Sequence, residues 1–419
     1  MSTLKVNKLR DTAGSTDAIT LDPNGGAVLA GVTTVTSVKV GAAVTISESG
    51  IEASGIGITC ANINGGQICG RRNIIINGAM EVAQRGTSSN STGFVSVDRM
   101  STQFSGTDEA PTYAQVDVSS GTTPYTLGFR KAFKITNGNQ TSGAGSSDYV
   151  YWWTILEAQD ISKSGWNYTS ASSFITLSFW IKSSVAQNFY GMLQTTDGTS
   201  QGLAYETGSL TADTWTKIVK TIPGNSNLQF DNDNGAGLYW APARAFDGTD
   251  RTASMSLDTW ATYSGSSRTP DATSTWYTTN DATLEITGLQ MEVGSQATAF
   301  EHRNFGEELL LCQRYYYTTR GGSGGNPNTD SGGYFGMYYT GAISLGVAKF
   351  PVAMRATPTI VLYDGNGDSG KFTQNGSNYY TATAGGITTH GFGNATATSN
   401  ISSTMSNSIT AGYTADAEL

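Results

Sequence analysis

The segment Ser173–Ser184, SFITLSFWIKSS, limits the possible folds more than any other part of the chain. Its apolar side chains recur at every second position, which is the period of a β-strand with one buried face. The residues predicted to face a core are Ile175, Leu177, Phe179 and Ile181, with Ser178, Trp180 and Lys182 on the other side. Tyr149–Leu156, YVYWWTIL, is apolar on both faces, which predicts a strand in the middle of a sandwich.

Further strands are predicted at Phe133–Ile135, Thr214–Ile222 and Thr283–Val293, separated by turns such as Asn137-Gly138 and Asp197-Gly198. Several strands with Gly, Asn and Asp turns and no helix between them predict a jelly-roll β-sandwich over residues 73–303. Only 14% of the 419 residues are charged and 51 are glycine, which also favours β structure. The hydrophobic share of 38%, with 20 Tyr and 8 Trp, is enough for real cores.

Residues 1–72 contain no Trp, Phe or Tyr, and their short apolar alternations occur at Val38, Val40 and at Val44, Ile46. One copy would bury a thin core, because small units bury proportionally little surface. We therefore expect a fibrous or mounting β segment, in which three copies lay their strands together. A partly ordered leader is the alternative.

Thr283–Tyr317 links the sandwich to the C-terminal part of the chain. The apolar set changes phase after Ile286, which predicts a β-bulge at Thr287–Gly288. Asn304 is placed to cap a helix with Glu307 three residues on. The predicted apolar stripe of this junction helix is Phe305, Leu309, Cys312 and Tyr316. Residues 304–419 would then hold the helix and a small C-terminal β domain, which makes the chain all-β with three domains.

Four segments carry a resemblance to a known family. They are Leu284–Tyr317 (LEITGLQMEVGSQATAFEHRNFGEELLLCQRYYY), Arg71–Thr87 (RRNIIINGAMEVAQRGT), Val97–Met100 (VDRM) and Phe350–Ile360 (FPVAMRATPTI). Together they resemble tail-fibre and receptor-binding proteins of marine bacteriophages, cyanophages especially, from about Arg71 to the end of the chain. The family marks no catalytic residues, and no binding residue transfers from it. The segments SFWIKSS and TWTKIVKTIPG resemble sandwiches of carbohydrate-binding modules.

The resemblance implies a homotrimer of the virion tail that is assembled in the host cytoplasm. Its N-terminal segment would attach to tail or baseplate proteins, and its outer domains would bind a host cell-surface polysaccharide without chemistry. A purely structural tail or decoration protein is one alternative, and a polysaccharide-degrading enzyme is another. The net charge of -9 offers no basic patch for nucleic acid. The N-terminus has no apolar signal core and no stretch reaches a membrane span, so we expect no membrane insertion.

No catalytic motif is present in the sequence. The two histidines, His302 and His390, lie in no metal-binding pattern, and there is no nucleophile elbow, Walker loop or dinucleotide fingerprint. A β-helical depolymerase would show a repeat with a period of 20–50 residues, and the sequence shows none. We therefore predict a protein that is not an enzyme and needs no cofactor. His302, between Glu301 and Arg303, is predicted to be a salt-linked junction residue.

Two acidic runs raise the question of calcium. The run Asp364–Gly370 loosely matches half of an EF-hand loop, but its twelfth position is Asn375 rather than Glu. Asp231–Gly235 is shorter still. Asp, Asn and Gly are also the residues of hairpin turns, so we predict turns and no metal site. Cys60 and Cys69 could pair or stay reduced, and Cys312 is predicted to be a free thiol.

Aromatic residues of the polar loops are the candidate ligand-binding set, because sugar C–H faces stack on Trp and Tyr rings. The candidates are Trp240, Trp260, Tyr263, Trp276, Tyr277, Tyr338 and Tyr379. Trp152, Trp180 and Trp215 lie inside strand patterns and are assigned to packing. For any single loop aromatic, packing in a core or between subunits is the competing explanation.

Overall fold

The computed structural model describes residues 71–248, 256–319, 348–374, 378–397 and 409–419, together with six strands nearer the N-terminus. Two compact units are present, Met1–Ala61 and Asn62–Leu419. The strands of the first unit are β1 (Lys8–Leu9), β2 (Ile19–Leu21), β3 (Ala27–Leu29), β4 (Ser37–Val40), β5 (Val44–Ser47) and β6 (Gly50–Ala53). They form two antiparallel three-stranded sheets, β1-β2-β3 and β4-β5-β6. Assembly of this segment with other copies and the predicted domain boundaries stay predictions.

The second unit begins with a β-sandwich. Its strands are β7 (Ser88–Ser89), β8 (Gly93–Phe94), β9 (Met100–Ser105), β10 (Thr112–Asp117), β11 (Lys131–Thr136), β12 (Tyr149–Glu157), β13 (Phe174–Ser183), β14 (Asn188–Thr195), β15 (Gln201–Ser209), β16 (Thr216–Pro223), β17 (Ala236–Arg244), β18 (Phe246–Asp247), β19 (Ala261–Thr262) and β20 (Thr283–Val293). Its short helices are α1 (Thr123–Thr126), α2 (Ala158–Ser162) and α3 (Thr275–Thr278). No helix in the described part of the chain is long and apolar enough to cross a membrane.

The strands form two antiparallel sheets. One has the order β16-β13-β20-β11-β10-β7, and the other has the order β19-β15-β14-β17-β12-β9-β8, with β18 paired to β12. The chain passes repeatedly from one sheet to the other, as in a jelly roll. The predicted all-β sandwich is therefore confirmed, and β12 occupies the interior position predicted for YVYWWTIL.

The main core lies between the two sheets. The four alternating residues of β13, Ile175, Leu177, Phe179 and Ile181, are all fully buried in it. Trp152 and Trp240 reach the same core from the opposite sheet. The ring of Phe133 lies 5.0 Å from Trp152, and that of Phe179 lies 6.0 Å from Trp240. Each large apolar side chain buried in this way contributes about 1.5–3 kcal/mol.

Strand β20 contains the predicted bulge. Ser178 pairs with Gln290 and Trp180 pairs with Thr287, so Gly288 and Leu289 together face the single residue between them on β13. The bulge is confirmed, and its left-handed residue is Gly288 with φ of 67°. A Cβ atom there would lie 2.6 Å from the Phe129 ring. Only glycine combines this backbone angle with that close approach.

The junction helix is α4, Phe305–Gln313, and Asn304 caps it as predicted, since its side chain accepts a 2.9 Å hydrogen bond from the Glu307 amide. The predicted apolar stripe is wrong in part. Phe305 is 58% exposed and Leu309 is half-buried, whereas Cys312 is fully buried. Glu308 instead occupies the buried position of the first helical turn, and it accepts a 2.6 Å hydrogen bond from the Asn77 amide.

The remaining elements form a small C-terminal β domain. Its strands are β21 (Tyr316–Thr318), β22 (Ala348–Lys349), β23 (Thr359–Tyr363), β24 (Lys371–Gln374), β25 (Asn378–Thr388), β26 (Gly391–Ala397), β27 (Ile409–Thr410) and β28 (Gly412–Asp416). They are arranged as the sheets β21-β28-β23 and β22-β26-β25-β24-β27. Tyr316 therefore starts a strand and does not end the helix. The second core includes the buried rings of Phe372, Phe392 and Tyr413.

A cluster of buried charges, the C-terminal latch, joins this domain to the sandwich. Glu418 pairs with Arg85 at 3.2 Å and also with Arg99, which is 2% exposed. The guanidinium of Arg99 lies 3.5 Å from the ring centre of Tyr315, and that of Arg85 lies 3.6 Å from Tyr316. Both arginines thus stack on residues just beyond the end of α4. The carboxylate that they share, that of Glu418, lies two residues after the end of β28.

Replacing Glu418 by Ala should destabilise the full-length protein by about 3–5 kcal/mol, because it leaves the buried Arg99 without its carboxylate and Arg85 with Asp416 alone. The free energy of unfolding in urea measures this loss. Asp117→Ala is the matched control, since Asp117 forms a 2.6 Å ion pair with Lys131 but its side chain is 83% exposed. The control should change stability by less than about 1 kcal/mol. Equal losses in the two variants would contradict the latch.

Asp98 adds a pH dependence to the same region. Burial raises its pKa to about 6, although the charge of Arg85 and hydrogen bonds from Gln84 lower it. The folded state therefore holds a proton that the unfolded state releases near pH 4. The contribution of this proton to stability is present at low pH and is lost as pH rises from about 4 to 6.

Asp98→Asn should remove that dependence. The difference in unfolding free energy between wild type and variant should change by at most about 3 kcal/mol from pH 4 to pH 6.5. The wild type should become less stable relative to the variant as pH rises. Urea unfolding at the two pH values measures it. A constant difference would show that Asp98 titrates normally in the folded protein.

Candidate functional site

Four aromatic side chains line the outer face of the eight-stranded sheet. Successive residues of β12 point to opposite faces, so Val150 and Trp152 enter the core. Tyr149, Tyr151 and Trp153 consequently point outward. On the neighbouring strand β17, Trp240 points inward and Tyr239 outward. The four outward rings, Tyr149, Tyr151, Trp153 and Tyr239, are called the aromatic strip below.

The rings of the aromatic strip contact one another in sequence. The centroid distances are 5.3 Å from Tyr149 to Tyr151, 5.2 Å from Tyr151 to Trp153, and 4.8 Å from Trp153 to Tyr239. The planes of neighbouring rings are inclined by 39°, 58° and 63°. From Tyr149 to Trp153 the strip runs about 13 Å along one strand. This is an elongated aromatic surface rather than a closed pocket.

Two arginines and one aspartate support the strip. The guanidinium of Arg244 lies 3.3 Å from the centre of the Tyr151 ring, and its Nε lies 2.8 Å from Asp247. Arg268 donates two hydrogen bonds to the same carboxylate, at 3.0 and 2.7 Å, and lies 5.8 Å from the Tyr149 ring. Burial alone would lower the pKa of Arg268, but its bonds and charge interaction with Asp247 outweigh burial and raise the pKa. Arg268 is therefore a permanent cation.

The side chains at the centre of the strip are buried, and those at its edges are partly exposed to solvent. Tyr151 is 6% exposed and Arg244 is 3% exposed, so these two groups fix the strip rather than meet a ligand. Tyr149, Trp153 and Tyr239 are half-buried and offer part of each ring to solvent. Burial also raises the pKa of the Tyr239 phenol, which keeps it a neutral hydrogen-bond donor at neutral pH.

Polar side chains lie beside these rings. In the strand register, Gln103 is opposite Tyr151, and Gln194 is opposite Tyr239. An aromatic surface edged with amides can stack on the C–H face of a sugar and pair with its hydroxyls. The nearby carboxylate of Asp247 is bound by Arg244, Arg268 and the Thr269 hydroxyl. The described residues contain no group of three His, Cys, Asp or Glu side chains placed to hold a metal ion.

The structure corrects four of the predicted ligand residues, which are buried. Trp240, Trp276 and Tyr277 are fully buried and Trp260 is 7% exposed, all within the main core. The indole of Trp240 donates to the Tyr205 hydroxyl and that of Trp260 to the Pro223 carbonyl, each at 2.8 Å. Their rings therefore have no free face for a sugar, since they pack in the main core. Tyr263 is half-buried, while Tyr338 and the Tyr379 side chain lie outside the described residues.

The aromatic strip is not predicted from the sequence, because burial of both faces explains YVYWWTIL equally well. The signal is present in the alternation itself, since the outer positions of this strand are two tyrosines and a tryptophan in succession. Of the three tryptophans assigned to packing, Trp152 is fully buried. Trp180 and Trp215 are half-buried against a smaller cluster outside the main core.

Among the described residues, His302 forms a hydrogen bond and ring contacts rather than the predicted salt link. Its Nε2 donates a 2.8 Å hydrogen bond to the Leu127 carbonyl, and its ring packs on Phe129 and Phe300. The flanking charges are used elsewhere. Glu301 accepts from the Arg72 and Asn73 amides, at 2.7 and 2.6 Å.

Both acidic runs contain turn hydrogen bonds. One oxygen of Asp364 accepts from the amides of Asn366 and Asp368, each at 2.9 Å, and Asp368 pairs with Lys371 at 2.8 Å. In the other run an Asp233 oxygen accepts from the Gly235 amide at 2.9 Å. Cys312 is a buried free thiol, and burial raises its pKa. Cys60 and Cys69 lie outside the described residues.

No family model matches this sequence, and no curated protein matches it. Among solved structures, a putative sugar binding protein from Bacteroides thetaiotaomicron is 11% identical, covers 53% of this chain and 99% of that one, and gives a TM-score of 0.31. The family 11 carbohydrate-binding module from Clostridium thermocellum is 13% identical over 52% of this chain and 99% of its own, with a TM-score of 0.23. The enzymatically active domain of bacteriophage CBA120 tailspike protein 4 is 8% identical over 53% of this chain and 21% of its own, with a TM-score of 0.28. All three TM-scores are below 0.5.

A pair of tryptophan variants tests the assignment of buried and outward rings. Trp240→Ala should cost about 3–5 kcal/mol of unfolding free energy, because it opens a cavity in the main core. Trp153→Ala removes a half-buried ring on the outer face and should cost clearly less. Urea unfolding followed by far-UV circular dichroism compares the two. The assignment of these two rings is wrong if the losses are reversed.

Proposed function

We propose that this chain is a non-catalytic adhesin that binds a cell-surface polysaccharide along the aromatic strip. The observation that carries the proposal is the row of contacting outward rings, Tyr149, Tyr151, Trp153 and Tyr239, on one sheet face. An elongated surface of this kind suits several consecutive sugars of a chain better than one small molecule.

Preorganisation supports the proposal. Arg244 and Arg268 are both held by Asp247, and Arg244 in turn covers Tyr151. The rings are thus fixed before a ligand arrives, so binding costs little side-chain entropy. The open parts of Trp153 and Tyr239 would stack on sugar C–H groups, with Gln194 pairing to a hydroxyl. Each contact is weak, and the strip adds several in a row.

The finer proposal is a phage tail-fibre or receptor-binding protein. It rests on the resemblance of Arg71–Thr87 and Leu284–Tyr317 to such proteins and not on the fold. In this role three copies would share a mount on the virion tail through residues 1–72, with adsorption to the host glycan as their task. Linked copies rebind at high effective concentration, so weak sites give firm attachment.

The proposal includes no chemical step. Glycoside hydrolysis needs a carboxylic acid free to give its proton and a second carboxylate at a set distance. Asp247, the carboxylate held within the strip's support, is bound by two arginines and a threonine hydroxyl, which favours a structural part for it.

Binding of the full-length protein to a panel of immobilised bacterial envelope polysaccharides tests the proposal. Trp153→Ala and Tyr239→Ala should each weaken binding to the recognised polysaccharide by about tenfold per site, equivalent to about 1.4 kcal/mol. Tyr125→Ala is the control, because Tyr125 is also half-buried beneath an arginine but lies outside the strip, on α1.

Circular dichroism must show that each variant folds, and release of reducing sugar is followed in the same wells. Unchanged binding by both strip variants would refute the site. Steady release of reducing ends by the wild type would replace adhesion with the enzymatic alternative.

A further inference from the structure

A second hollow lies on the outer face of the six-stranded sheet, on the opposite side of the sandwich from the aromatic strip. Its volume is about 200 Å³, and its walls include Phe129, Trp180 and Phe300. Such a volume suits a single sugar ring rather than a chain. A ligand could bind in this hollow whether or not the aromatic strip binds a polysaccharide.

The bulge in β20 creates this hollow. Gly288 has no side chain, and a Cβ there would meet the Phe129 ring at 2.6 Å, so the glycine lets that ring form part of the wall. Phe300 holds the ring in an edge contact with centroids 4.8 Å apart. Trp180 is half-buried and lies on β13 beside the bulge. The result is an aromatic wall kept in place by backbone geometry.

The polar lining of the hollow is basic. Lys217 is exposed and pairs in register with Trp180 across β16 and β13, so the two side chains lie on the same face of the sheet. His302 also lines the hollow. Its Nε2 contacts a carbonyl, which can only accept, so Nε2 carries a hydrogen, and Nδ1 is the other ring nitrogen available to a ligand. Among the described residues, no Asp or Glu lines this hollow.

We propose that this hollow binds one acidic pyranose, a hexuronate residue. The sugar's C–H face would stack on Trp180, and its carboxylate would pair with the Lys217 ammonium. His302 Nδ1 and the Ser178 hydroxyl, which also lines the hollow, would pair with ring hydroxyls. The aromatic wall alone would accept a neutral sugar, and the exposed lysine in a lining of described residues without a carboxylate gives the preference for an acid.

Titration of the full-length protein with sodium D-glucuronate, followed by tryptophan fluorescence and by ligand-observed NMR, tests the proposal. D-glucose is the neutral comparison and should bind at least about tenfold more weakly, as expected when one charged hydrogen bond is missing. Lys217→Ala should remove this preference, bringing glucuronate to the level of glucose. Trp180→Ala should abolish binding of both sugars.

Two further variants separate this site from other effects. Val219→Ala changes a 43% exposed residue of the same sheet outside the hollow and should bind glucuronate normally. Trp153→Ala, in the aromatic strip, should also leave glucuronate binding intact, so failure of one site is distinguishable from failure of the other. Lys217 is exposed, so its variant remains informative even where Trp180→Ala does not fold. Equal binding of glucose and glucuronate by the wild type, or an unchanged preference in Lys217→Ala, would overturn the proposal.

Discussion

The C-terminal latch is the interaction that fixes the larger unit as one body. Arg85, Arg99 and Glu418 are nearly buried, and a buried charge without its partner costs several kcal/mol. If the C-terminal β domain separated from the sandwich, these charges would be left unpaired or would have to be rehydrated. The latch therefore gives a definite geometry more than it gives net stability. The aromatic stacking of both arginines on Tyr315 and Tyr316 extends the same constraint to the end of α4.

Features that depend on local periodicity are the ones predicted well from the sequence. The alternation of β13, the change of phase at Gly288 and the cap at Asn304 each involve residues close in the chain, and each is found in the structure. The apolar stripe of α4 failed because its inner face is decided by a distant backbone amide. Glu308 is buried because Asn77 donates to it from 231 residues away in sequence, and no helical pattern contains that information.

Four of the predicted ligand residues are buried for a related reason. Trp276 and Tyr277 have polar neighbours in the sequence, yet they are fully buried in the main core, where Tyr277 stacks on Phe246 at 4.3 Å. Large rings bring so much apolar area that they tend to recruit covering segments. The aromatic strip is not predicted for the opposite reason. Aromatic residues within a strand have the sequence pattern of core residues, and only the structure shows which of them lie on the outer face of the sheet.

Each sheet of the sandwich has an outer face with aromatic residues, and the two faces keep their rings in place by different means. On the eight-stranded sheet a network of charges, Arg244 with Asp247 and Arg268, holds Tyr151 from above. On the six-stranded sheet a glycine bulge brings Phe129 against the backbone from below. The Arg244–Asp247 pair is almost fully buried, so salt screens it little. The Lys217 ammonium of the hollow is exposed, so binding of an acidic sugar there should weaken with ionic strength more than the buried support of the strip does.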